Sequence, residues 1–181
     1  MEIKYLTIKA QDTDKVLLET PYGVLLGNTL NNFPSPRKQD ASRVQVSKTV
    51  IIPSYDDESL TIKAVTRTKN KKYKTNIIFD DVEFLDDKKP AAAVVIGPDG
   101  DEYYFKKIPL NRSDVKVSCT CLDFYYRFAV WNYADDSLIG NPPPPYVKVT
   151  DSPPQNPRHL PGVCKHIIKV MDKLMSQRMF K

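Results

Sequence analysis

No apolar run in this sequence approaches the roughly 18 consecutive residues that a bilayer-spanning helix requires, so no transmembrane segment is expected. The first residues, MEIKYLTIKAQ, carry neither the basic start nor the apolar stretch of a signal peptide. The expected setting is therefore cytoplasmic, where thiols stay reduced. Cysteine is scarce, with three in 181 residues, and an odd count argues against a disulfide framework. Histidine is scarcer still, at two. Phosphate-loop, dinucleotide-binding and metalloprotease motifs are all absent. With no open catalytic constellation in view, the expectation is a protein that is not an enzyme and has no small-molecule substrate.

What the chain does hold is enough apolar residue, 41%, to build a core, and a net charge of +5. That charge is uneven. Residues 1–110 carry 17 Lys/Arg against 16 Asp/Glu, and residues 111–181 carry 10 against 6. The excess is mild, and a dedicated duplex binder usually has a denser basic stripe.

The first half reads as strands. Residues 3–9, 15–20, 43–52, 59–67, 73–79, 91–96 and 102–107 are short runs that alternate or are rich in β-branched and aromatic residues. Pro21-Tyr22-Gly23 reads as a break, and NTLNNFPSPRKQD (28–40) as a loop. Pro98-Asp99-Gly100 has turn chemistry: Pro fixes φ, Asp bonds its own backbone and Gly accepts positive φ. The segment 67–74 places five basic residues in eight positions. It reads as an exposed hairpin tip, or as a loop that contacts phosphate.

The pattern changes near residue 111. VKVSC (115–119) is a further strand, and Asp123 is a candidate N-cap for the aromatic run FYYRFAVWNYA. Helical spacing puts Phe124, Phe128 and Trp131 on one face, with Tyr126, Val130 and Tyr133 nearly opposite. A helix apolar on both sides is buried between layers or has a partner on one of them. A strand is the alternative for so short an aromatic run. A loop over 135–161 holds eight of the fifteen prolines. Lys165–Gln177 then carries Ile167, Val170, Met171 and Leu174 at helical spacing, an amphipathic helix. The fold class expected is α+β: a β-rich domain over 1–110, as an antiparallel sheet or small barrel, followed by a metal-stapled β/α module over 111–181.

All three cysteines and one histidine fall into Cys119-x-Cys121 and Cys164-x-His166. On a strand, residues two apart share a face, so the Cys119 and Cys121 thiols can converge. On a helix they diverge, which places Cys164 on the Pro161-Gly162 lead-in and His166 in the first helical turn. Three thiolates and an imidazole suit a closed, structural Zn2+ site. The competing readings are three buried core cysteines, a Cys119–Cys121 disulfide, or a Cys164/His166 catalytic pair. His159 reads as a solvated loop residue or a displaced ligand.

The Cys-x-Cys and Cys-x-His pairs, the second opening a helix, resemble the SWIM-type zinc finger over residues 111–177. The resemblance implies a short β-hairpin and a helix around zinc, with Cys119, Cys121, Cys164 and His166 as ligands, and a role in binding DNA or protein. The spacer between the pairs is longer than is typical of that family and contains the aromatic and proline-rich insert. CTCLDFYYRFAVWN, PPPPYV and NPRHLPGVCKH also resemble a variant encoded by tailed bacteriophages. That resemblance implies a virion component or a DNA-associated factor. The partners expected are therefore other proteins of an assembly. The alternative is nucleic acid, contacted by Lys165, Lys169, Lys173 and the 67–74 tip. Pro143-Pro144-Pro145-Tyr146 matches the Pro-Pro-x-Tyr pattern read by WW domains, but packing of Tyr146 and the prolines over the aromatic segment is the plainer reading.

Overall fold

A computed structural model describes residues 20–33, 37–141, 143–144 and 154–181. The strand expected at 3–9, nearly all of that at 15–20, and Pro145 and Tyr146 of the Pro-Pro-x-Tyr match lie outside the described residues. The architecture is α+β. Two open antiparallel sheets are built from β1 (Gln45–Ser54), β2 (Ser59–Thr68), β3 (Lys71–Phe79), β4 (Phe84–Leu85), β5 (Ala93–Ile96), β6 (Glu102–Phe105) and β7 (Val115–Cys119). Four strands form one sheet in the order β1-β2-β3-β7, and three form the other in the order β4-β6-β5. Among the described residues neither sheet closes into a barrel: β7, at one end of the larger sheet, exchanges backbone hydrogen bonds with Ser137 and Ile139 rather than with β1.

Alternation decides which face of the four-stranded sheet is buried. Leu60, Ile62, Ala64 and Thr66 of β2, Thr75, Ile77 and Phe79 of β3, and Val115, Val117 and Cys119 of β7 all point inward. Helix α5 (Lys165–Met175) packs on that inner face, against all four strands. It buries Ile167, Ile168, Val170, Met171 and Leu174 while Asp172 and Lys173 stay exposed. Full burial of each of these side chains contributes roughly 1.5–3 kcal/mol before conformational entropy is subtracted. The buried residues of both sheets and of α5 belong to one continuous cluster.

Two segments differ from the sequence expectation. Residues 21–33 are not a break and a loop: α1 runs Tyr22–Asn32, and a second short helix, α2, spans Arg37–Ser42. Pro21 stands at the N-cap with φ −64°, and its carbonyl accepts from the amides of Val24 and Leu25 at 2.9 and 3.2 Å. Glycine and asparagine are weak helix formers, but burial of Tyr22, Leu25 and Thr29 on one side overrides that weakness.

The aromatic run is helical from 122 to 134, as α3 (Leu122–Phe124), a π-turn (Tyr125–Ala129) and α4 (Val130–Ala134). Its N-cap is Cys121, not Asp123. Cys121 holds an extended conformation and its Sγ accepts from the Phe124 amide at 3.3 Å. Asp123 lies in the first turn instead and pairs with Arg127 at 3.5 Å. Phe124, Phe128 and Asn132 are buried, whereas Tyr125, Tyr126 and Tyr133 face outward. Among the described residues no helix is long and apolar enough to cross a membrane.

Candidate metal centre

Three separate pieces of chain converge at one end of the inner face. Cys119 is the last residue of β7, Cys121 caps the aromatic helix, and Cys164 caps α5 in an extended conformation. His166 follows as the second helical residue. All four are buried, and one ligand atom from each lies within 4.8 Å of the others. His166 Nδ1 is 3.9 Å from both the Cys119 and the Cys164 sulfur. A tetrahedral zinc with Zn–S of ~2.3 Å and Zn–N of ~2.0 Å has S···N edges of about 3.5 Å and S···S edges of about 3.8 Å. Contraction of the widest separation by about an ångström closes the set around such an ion.

The lead-in to Cys164 is held by side chains from elsewhere. Asn132, fully buried, accepts from the Gly162 amide at 2.9 Å and donates to the Gly162 carbonyl at 3.2 Å. The Val163 amide donates to Thr29 Oγ1 at 2.8 Å. Gly162 has no room for a side chain: a Cβ there would sit 2.6 Å from Thr29 Oγ1 and 2.7 Å from Phe128 Cε1. Helix α1, unread in the sequence, therefore helps to aim Cys164 into the cluster.

The sheet supplies the surroundings of the imidazole. Thr68 Oγ1 is 2.9 Å from His166 Nε2, and the Tyr73 ring lies against the imidazole with centroids 4.4 Å apart. Thr75, directly opposite Cys119 in the β3–β7 register, donates its hydroxyl to that sulfur at 3.7 Å. With Thr68 on Nε2 and the sulfurs on the Nδ1 side, the tautomer that suits the site carries its proton on Nε2 and offers the Nδ1 lone pair to a metal.

The thiols are electrostatically mismatched as they stand. Hydrogen bonds from the Cys121 and Cys164 thiols pull the Cys119 pKa well below the usual range. Burial, followed by the neighbouring Cys119 and Cys121, pushes that of Cys164 up. One negative charge is welcome in the cluster and a second is resisted. A divalent cation reverses this, because coordination deprotonates a thiol outright.

All four ligands expected from the sequence are thus brought together. His159 is not among them: it is exposed and stacks on Trp131, with ring centroids 4.1 Å apart and planes 15° from parallel. Of the lysines expected to touch phosphate, Lys165 and Lys169 are half-buried on α5 and Lys173 is exposed. Thr68, Tyr73 and Thr75 escaped the sequence reading. The alternation of KKYKTNIIF does place Tyr73 and Thr75 on the face of Ile77 and Phe79, but the register that sets them beside the ligands is tertiary information. No family model, curated protein or solved structure matches this chain.

Proposed function

We propose that this chain is a non-enzymatic zinc-binding structural protein. Cys119, Cys121, Cys164 and His166 hold one Zn2+, which joins β7, the aromatic helix and α5 into one unit. The observation that carries this reading is the convergence of four buried ligand atoms, from separate elements, within 4.8 Å. Four protein ligands complete a tetrahedral shell and leave no position for a substrate or an activated water, which is the arrangement of structural rather than catalytic zinc. The unit would serve to bind other proteins of an assembly, and a tailed-phage virion is the setting implied by the resemblance of the insert. Exposed Leu122, Tyr125, Tyr126 and Tyr133 on the aromatic helix support a protein-facing role.

Metal analysis of the purified chain tests the centre. One zinc per chain is expected, and Cys119→Ala or Cys164→Ala should lose it together with a large part of the thermal stability. Metal-free protein with an unchanged melting transition would overturn the reading. The assembly role is tested separately, by asking whether the protein sediments with intact particles. A protein found only in the free soluble fraction would leave the zinc centre standing and remove the virion.

A further inference from the structure

The outer face of the four-stranded sheet, opposite α5 and the metal centre, has a charge pattern that the zinc reading leaves unexplained. Strands β1, β2 and β3 contain Lys48, Lys63, Arg67, Lys71, Lys72 and Lys74 and not one Asp or Glu. The acids of this region lie at the far end of the strands, as Asp56, Asp57 and Glu58 in the β1–β2 turn and Asp80 and Asp81 after β3.

The register shows where the cations stand. Arg67 is directly opposite Lys72, Val65 is flanked by Lys48 and Lys74, and Lys63 lies one step further along the same face of β2. With ~3.4 Å per residue and ~4.8 Å between strands, the five cations occupy a flat area of about 14 by 10 Å. All five are exposed, and among the described residues none takes part in an ion pair. Lys116 on β7, by contrast, is paired with Asp80 and Asp136 at 4.0 and 3.6 Å.

Like charges opposed across a strand pair oppose folding, so this array costs the free protein stability that a polyanion would return. The rest of the face decides which polyanion. None of the exposed large apolar side chains belongs to it, and Tyr73 points the other way, to His166. Protein interfaces are centred on aromatic and apolar anchors and are depleted of lysine. The apolar residues on this face, Val50, Ile52, Val65 and Ile78, are aliphatic and half-buried, and a lysine-rich face with no exposed aromatic anchor fits a phosphate backbone. With no aromatic platform for unstacked bases, it fits the backbone of a duplex, contacted without sequence readout.

We infer that the outer face of the β1-β2-β3 sheet, through Lys48, Lys63, Arg67, Lys72 and Lys74, binds the phosphate backbone of double-stranded nucleic acid. This interface is separate from the zinc centre and does not rest on it.

The test is fluorescence anisotropy of the full chain with a labelled duplex of arbitrary sequence. Between ~50 and ~200 mM salt, five contacts give a log–log slope of about −4 to −5. The triple variant Lys63→Glu/Arg67→Glu/Lys74→Glu should lose at least ~100-fold in affinity at low salt and flatten the slope by about 3. Lys173→Glu, on α5 at the other side of the sheet, should bind as wild type does. No binding at low salt would overturn the assignment, as would a triple variant that binds normally or a Lys173→Glu variant equally impaired. Polyglutamate bound as tightly as the duplex would give the face to acidic proteins instead. Metal content is measured in the same samples. A wild-type chain that binds duplex but carries no zinc would sink the zinc reading and leave this one standing.

Discussion

His166 presents Nδ1 to the sulfurs of Cys119 and Cys164 because Thr68 engages its other nitrogen. The 2.9 Å contact between Thr68 Oγ1 and Nε2 fixes the ring's rotation, and Tyr73 lies against its face. A partner of this kind sets the tautomer and raises ligand basicity, and its loss typically weakens metal binding by about 10–100-fold. Thr68→Val keeps the shape but removes the acceptor. It should lower zinc affinity by about that factor in a chelator competition while the protein stays folded, and Thr68→Ser should restore most of it. Equal affinity in all three proteins would mean that packing against Tyr73 alone orients the ring. Thr75 acts on Cys119 more weakly, since a 3.7 Å contact to sulfur is a long bond to a soft acceptor.

At the scale of elements, the clamp on the Pro161-Gly162-Val163 segment brings α5 to the site. Asn132→Ala leaves both the amide and the carbonyl of Gly162 without their partner in a buried place. At about 1–3 kcal/mol for each of the two stranded groups, the expected loss is roughly 2–6 kcal/mol, read from the denaturant midpoint. A loss below about 0.5 kcal/mol would show that the lead-in is held from α1, by Thr29 on Val163 and Asn28 on Pro161. Part of this arrangement was legible in the sequence. Strands β1 to β3 and β5 to β7 stand out by alternation, α5 by its apolar stripe, and the four clustered Cys and His residues because cysteine and histidine are so scarce. Helix α1 was not legible, because Pro21, Gly23, Gly27 and three asparagines read as a loop until the burial of Tyr22, Leu25 and Thr29 is known. The two residues of β4 are too short to show a period. The cap at Cys121 was hidden for a different reason. Asp123 is the better N-cap by type, and only the end of β7 at Cys119 puts the helix start two residues earlier.

For the whole molecule the question is how far the loss of the proposed zinc would spread. β7 is hydrogen-bonded along β3 from Thr75–Cys119 to Phe79–Val115, and α5 packs on the strands of the first half. The buried cluster runs from Tyr22 to Met179 without a gap between the sheets. Structural zinc in small sites supplies on the order of 10–16 kcal/mol of apparent binding free energy, against a net stability of about 5–15 kcal/mol for a typical domain. A loss on that scale, delivered where β7 and α5 meet, exceeds what either element can absorb locally. Chelation of the metal should therefore unfold residues 20–110 and 111–181 together, in a single transition by both near-ultraviolet circular dichroism and hydrogen exchange. The same experiment tests a division of the chain near residue 110. If amides of β1, β2 and β3 stay protected after chelation while those of α5 and 122–134 exchange freely, the β-rich part stands as an independent folding unit and zinc stabilises only the module that follows it.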